Sequence, residues 1–157
     1  MLPEPVIDLL IRAKPDLIVH LGDVNTRSVL DDLAEIAPLI AVIGNNDDDE
    51  LQYMLESSVT FTVGRFTFAA LHGHGGRSAR SEATERLAGK VDCAMFGHSH
   101  NPLIENVAGT IMFNPGSPTD RRWFEHFGIG LIRVTADRID PELILFAKPD
   151  HLVNVQV

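Results

Sequence analysis

The segment "FGHSHNP", Phe96 to Pro102, sets His98 and His100 two positions apart, directly after the apolar run "VDCAM". Similar groupings recur along the chain: Asp23 after "LIVHLG", Asn45-Asn46-Asp47 after "LIAVIG", His72 and His74 after "FTFAAL", and Asn114 in "TIMFNPGS". Each follows a short apolar stretch of strand type, so ligand-type side chains gather past the carboxyl ends of several strands. In α/β sheets that edge is where sites are built. Carboxylate, amide oxygen and neutral imidazole together suit borderline divalent ions such as Mn²⁺, Fe²⁺, Co²⁺, Ni²⁺ or Zn²⁺. An aspartate can bridge two ions, and histidines at i and i+2 can reach different ones. Two ions roughly 3.5–4 Å apart are suited to in-line displacement at phosphorus.

The elements that must position these groups are legible from periodicity. "PEPVIDLLIRAK" carries Val6, Leu9, Leu10 and Ala13 at helical spacing, and "RSVLDDLAEIA" is a second amphipathic helix. Each lies beside a buried strand, in "PDLIVHLGD" and "PLIAVIGNNDDDE", which predicts β-α-β-α alternation and a parallel sheet. "ELQYMLES" reads as a short helix, and the acidic run Asp47 to Glu50 as its start. "VTFTV" and "FTFAALHGH" flank Gly64-Arg65 as a hairpin, and "SEATERLAGK" is helical. The later strands, "VDCAMFGHSH", "PLIENV", "TIMFNPGS", "GIGLIRVT" and "RIDPELILFA", are joined by tight turns and predict a more antiparallel second half. No linker or repeat interrupts residues 1–157, which read as one domain.

Bulk composition narrows the partners. The net charge of −9 disfavours long nucleic acid and anionic membranes. A bound divalent cation would still allow an anionic substrate by reversing the local field. No apolar run has the length of a membrane span, and no secretory pattern opens the chain. The single cysteine, Cys93, lies in an apolar strand and reads as a core residue; with these features it favours a cytoplasmic location. His20 reads as structural, and His126 and His151 as solvated.

Taken in order, "GD" (Gly22-Asp23), "GNND" (Gly44 to Asp47), "HGH" (His72 to His74), "GHSH" (Gly97 to His100) and "NPGS" (Asn114 to Ser117) resemble the calcineurin-like metallophosphoesterase superfamily, in particular its small single-domain phosphodiesterase branch. The resemblance implies a four-layer α/β/β/α sandwich and a metal-dependent phosphoesterase, in the first place a phosphodiesterase acting on a small phosphate ester through a metal-activated water. It implies Asp23 as bridging carboxylate, with Asn45, His72 and His98 on the second ion and His100 on the first. Mn²⁺ is the leading candidate ion, and homo-oligomers are common in the family. Asn46 stands where many relatives have a histidine that meets the leaving group. It can donate a hydrogen bond to substrate but cannot act as a general acid near neutral pH, which favours good leaving groups. His74 and Arg121, with its neighbour Arg122, are the expected substrate-facing groups.

The resemblance also implies a first central strand ending in D-x-H, whose Asp and His complete the first ion's ligands. No such motif preceded by an apolar strand occurs in the sequence, which opens on "MLPEPVIDLL". The expectation is therefore a fold with that strand missing from this chain and a first-ion site reduced to Asp23 and His100. A natural start upstream of Met1 would supply the motif. The competing expectation is a catalytically degenerate metal-binding scaffold for protein interactions.

Overall fold

The computed structural model describes residues 2–157. Its elements follow the order α1 (Glu4–Ala13), β1 (Ile18–His20), α2 (Arg27–Ala34), β2 (Leu39–Ala41), α3 (Asp49–Met54), β3 (Ser58–Val63), β4 (Phe66–Leu71), α4 (Ala79–Leu87), β5 (Cys93–Phe96), β6 (Leu103–Val107), β7 (Thr110–Asn114), β8 (Phe127–Val134) and β9 (Ile139–Phe146). A final 3-10 helix, Pro149–Asn154, was not anticipated from periodicity. It is tied to α1 by the Arg12 guanidinium, which donates to the Val155 and Leu152 carbonyls at 2.6 and 2.7 Å.

Alternation along the strands builds the layers. In the five-stranded sheet β3-β4-β5-β7-β6, Phe68, Ala70, Cys93, Met95 and Phe113 point to one face, while Leu71, Ala94, Phe96 and Met112 point to the other. The second face is covered by Ala79 and Ala83 of α4, whose small side chains let the helix lie close. The first face packs on Val19 and Leu21 from the β1 segment and on Ile132, Val134, Ile139 and Leu143 from the β8–β9 ribbon. Outside these lie the other helices. Val29, Leu30 and Leu33 of α2 cover Ile18 and Val24, and Val6 and Leu9 of α1 cover Ile144 and Phe146. Leu10 of α1 touches both groups, so α1 straddles the two ribbons. The result is the α/β/β/α sandwich.

The mixed strand directions match expectation. β1 and β2 are parallel, as are β4-β5 and β5-β7, whereas β3-β4, β6-β7 and β8-β9 are antiparallel. The β1–β2 and β8–β9 pairs share a layer but remain separate two-stranded sheets, with no ladder between them among the described residues. No helix of the described residues is long and apolar enough to cross a membrane.

Candidate metal centre

The site is assembled where β1, β2, β4, β5 and β7 end. Gly22 and Gly44 permit the close approach of the first two loops. A Cβ on Gly22, whose φ is +90°, would lie 2.6 Å from His72 Nδ1, and one on Gly44 would collide with the Asp23 backbone and carboxylate. Asp47 then fixes the pair. Its carboxylate is buried and accepts from the backbone N–H groups of Gly44 (2.7 Å), Asn25 (2.8 Å) and Asp23 (3.2 Å). Asp48, not Asp47, caps α3, by accepting from Leu51 N–H at 3.0 Å.

Asp23, His98 and His100 all adopt left-handed backbone conformations, with φ of 58°, 59° and 57°. Such conformations cost a non-glycine residue on the order of 1 kcal/mol or more and concentrate at functional sites. Asn114 supports the His98–His100 loop. Its buried amide donates to the Gly97 carbonyl at 3.0 Å and to Ser99 Oγ at 3.1 Å, while its oxygen accepts from Gly116 N–H.

His72, 2% exposed, is the centre of the cluster. Its Nδ1 lies 2.6 Å from the Leu21 carbonyl, an obligate acceptor, so Nδ1 donates there and Nε2 is the nitrogen left to offer a lone pair. That atom is 3.1 Å from Asn45 Oδ1, 3.3 Å from Asp23 Oδ1 and 3.2 Å from His98 Nδ1. Ligand atoms of Asp23, His72 and His98 all fall within 4.8 Å of one another. Converging lone pairs in a half-buried pocket repel unless a cation lies among them. The donor set, one carboxylate, one amide oxygen and two imidazoles, fits a borderline divalent ion.

The charges agree with this arrangement. Burial alone would raise the Asp23 carboxyl, but the Asn46 backbone and side-chain amide both donate to it and hold the group well below the usual carboxylate range. His98 is lowered by burial, then by its neighbours His72 and Arg122; His100 is lowered by burial and Arg122. Both therefore favour the neutral, ligating form.

The remaining predicted residues take distinct places. Asn46 donates from its backbone to Asp23 Oδ1 and from its amide to Oδ2, both at 2.9 Å, clamping the carboxylate. His100 stands outside the three-residue cluster. Its Nδ1 donates to the Asp120 carbonyl at 2.5 Å, which leaves Nε2 free. His74 is exposed on the rim, its ring centroid 5.4 Å from that of His72 and 6.3 Å from that of His98. The Arg121 guanidinium turns into its own loop, donating to the Phe124 carbonyl at 2.6 Å and lying 5.7 Å from the Phe127 ring centroid. The Arg122 side chain has no hydrogen-bond or ion-pair partner among the described residues, although its charge is felt at His98 and His100.

Sequence reasoning missed two supports. Asp47 was read as part of a helix start; its place as the last residue of "GNND" was the available signal. Asp120, which orients His100 through its main chain, left none, because a carbonyl carries no side-chain identity.

Residues 2–137 match the calcineurin-like phosphoesterase superfamily domain, and the chain belongs to that family. It is 34% identical over 122 residues to a probable metallophosphoesterase of Methanocaldococcus jannaschii, covering 75% of this chain and 60% of that protein. It is 28% identical over 152 residues to a probable metallophosphoesterase of Methanothermobacter thermautotrophicus, covering 94% of this chain and 85% of the relative. Among solved structures, Vps29 from Chaetomium thermophilum superposes with a TM-score of 0.73 at 21% identity, over 95% of this chain and 91% of that one. A structure described as a novel archaeal phosphodiesterase superposes with a TM-score of 0.68 at 19% identity, over 88% of each chain. These two likenesses establish the fold.

Proposed function

We propose that residues 1–157 act as one metallophosphoesterase domain, a divalent-metal-dependent phosphodiesterase that hydrolyses a small phosphate ester. The observation that carries this reading is the convergence on His72 Nε2 of Asp23 Oδ1, Asn45 Oδ1 and His98 Nδ1. A divalent ion, Mn²⁺ foremost, would be held by Asp23, Asn45, His72 and His98, with His100 reaching a second ion that Asp23 shares; when bound, such ions lower the pKa of a water and neutralise phosphoryl charge.

The chain's own groups have separable tasks. The Leu21 carbonyl fixes the His72 tautomer and aims Nε2. Asn46 spends one amide N–H on Asp23 Oδ2 and keeps the other for an ester oxygen of the substrate. That second N–H stabilises charge on the leaving oxygen without delivering a proton, so aryl and similarly acidic leaving groups are favoured. His74 lines the entrance. The substrate-facing role expected of Arg121 is shared: Arg121 braces the loop and Arg122 presents the free charge. The reading is of a cytoplasmic enzyme.

Elemental analysis after loading with Mn²⁺ tests the metal assignment. About one tightly held ion per chain is expected, lost in His98→Ala, together with hydrolysis of bis(p-nitrophenyl) phosphate that depends on the ion. A protein that retains no divalent ion after loading rules the reading out. A protein that binds the ion and remains inert supports the second reading, a metal-binding scaffold for protein interactions.

A further inference from the structure

The loop from Ser117 to His126 is built to hold still, yet it displays its most adhesive side chain to solvent. Ser117 Oγ accepts from Asp120 N–H at 3.1 Å, Asp120 Oδ1 accepts from Arg122 N–H at 2.9 Å, and Gly128 N–H returns to the Ser117 carbonyl at 2.9 Å. Arg121 closes the turn from within, through the Phe124 carbonyl. The hydrogen bond from His100 to the Asp120 carbonyl pins this loop to the site. Out of the braced frame project two consecutive side chains with no internal role. Arg122 has a left-handed backbone, φ 49°, and a guanidinium without a partner among the described residues. Trp123, the only tryptophan of the chain, is 82% exposed. Among the described residues, eight of the ten arginine side chains are engaged in hydrogen bonds or ion pairs, and those of Arg122 and Arg77 are the two that are not.

Two residues separate Asp120 from Trp123, so their Cα atoms are at most about 11 Å apart. The indole therefore sits on a loop that is tied to the candidate site through His100. An indole face held open beside an unpaired guanidinium is the combination that binds a planar heteroaromatic group attached to an anion, by stacking and by charge. A protein partner would more readily meet a broad apolar patch, whereas this is a single ring on a loop anchored to the site. We propose that Arg122 and Trp123 form a specificity arm, in which Trp123 stacks on the base and Arg122 faces the phosphate of a nucleotide-type phosphate ester. This rests on the phosphoesterase reading, and it names the substrate class.

Because Trp123 is the only tryptophan, its fluorescence reports on this loop alone. The test titrates the full chain, with the divalent ion present, with AMP and with ribose 5-phosphate, following fluorescence and heat of binding. AMP is expected to quench the emission saturably and to bind about tenfold or more tighter than ribose 5-phosphate, the usual scale of one aromatic stack. Trp123→Ala should remove the preference, Trp123→Phe should keep most of it, and Arg122→Ala should weaken both ligands alike. Equal affinities for the two ligands overturn the proposal, as does a preference for AMP that survives Trp123→Ala. Hydrolysis of bis(p-nitrophenyl) phosphate is scored separately. Quenching by AMP in a protein inert toward that ester would retain the arm and discard the esterase. Turnover of the ester with no discrimination between the two ligands would do the reverse.

Discussion

The two β layers of the sandwich differ in how well they are closed. In the five-stranded sheet, Phe68 to Leu71 and Cys93 to Phe96 are buried on consecutive positions because α4 covers one face and the second layer covers the other. The opposite layer lies between the α1–α2 helices and the same core, yet β2 and most of β8 stay half-exposed along their length. The β1–β2 and β8–β9 ribbons are bridged by α1 and by a shared apolar core, but by no ladder among the described residues. His72 and His98 thus stand on a closed platform, and Asp23 and Asn45 stand on a two-stranded one. The braces around Asp23, from Asp47 and Asn46, do locally what a wider sheet would otherwise do.

That contrast suggests where the largest effect lies. We propose that the seam between the ribbons accepts one extended strand, and that a strand ending in D-x-H would complete the ligands of the ion that His100 serves. An N-terminally extended protein carrying such a segment is expected to hydrolyse bis(p-nitrophenyl) phosphate with Mn²⁺ at least about 100-fold faster than residues 1–157, since the second ion stabilises both entering and leaving oxygens. His100→Ala should abolish the gain. If the extended protein is no faster, the two-ion reading fails.

The next effects separate ligands on the closed sheet from the braces on the open one. His72→Ala removes a buried ring and strands the Leu21 carbonyl, so it should cost about 2–4 kcal/mol of stability as well as the metal. Urea unfolding beside metal analysis distinguishes it from His98→Ala, which should lose the metal with little change in stability. Asp47→Asn keeps one acceptor oxygen but surrenders the charge that three N–H groups share. It should lower metal affinity by about 10–100-fold without removing any ligand. An unchanged affinity would show that the two loops hold together unaided.

How far the sequence foretold all this varies by level. Every α-helix and strand could be read, since amphipathic periods and Gly/Asn/Asp loops alternate cleanly, and the ligand groups at strand ends could be listed; the final 3-10 helix, Pro149–Asn154, is too short to show a period. What could not be read was which of them touch. "GNND" holds a candidate ligand (Asn45), a carboxylate clamp (Asn46) and a backbone brace (Asp47) in three adjacent residues, and only the fold separates those tasks. "DRR" likewise divides between an internal tie at Arg121 and an open charge at Arg122. Composition and spacing are blind to that division because it depends on which way a left-handed backbone turns a side chain.

The smallest effect expected is at His20, the last residue of β1, whose Nδ1 is buried without a hydrogen-bond partner among the described residues. Burial lowers this imidazole to about 4, against the partial compensation of Asp47 and Asp23. A histidine so depressed takes up its proton more readily in the unfolded chain, at about 6.5, than in the folded one. Stability should therefore be unaffected above that pH and should fall as the pH drops from about 6.5 toward 4. Between pH 7 and 5 the loss from this residue is about 2 kcal/mol at most. Urea midpoints across that range should show the decline, and His20→Asn, which does not titrate, should flatten it. The extended protein sharpens the contrast between the layers. If an added strand supplies Nδ1 with a hydrogen-bond acceptor, the folded-state pKa rises and the slope shrinks. If His20→Asn leaves the slope unchanged, the acid sensitivity belongs to other groups, and the open layer is not where this protein first yields to protons.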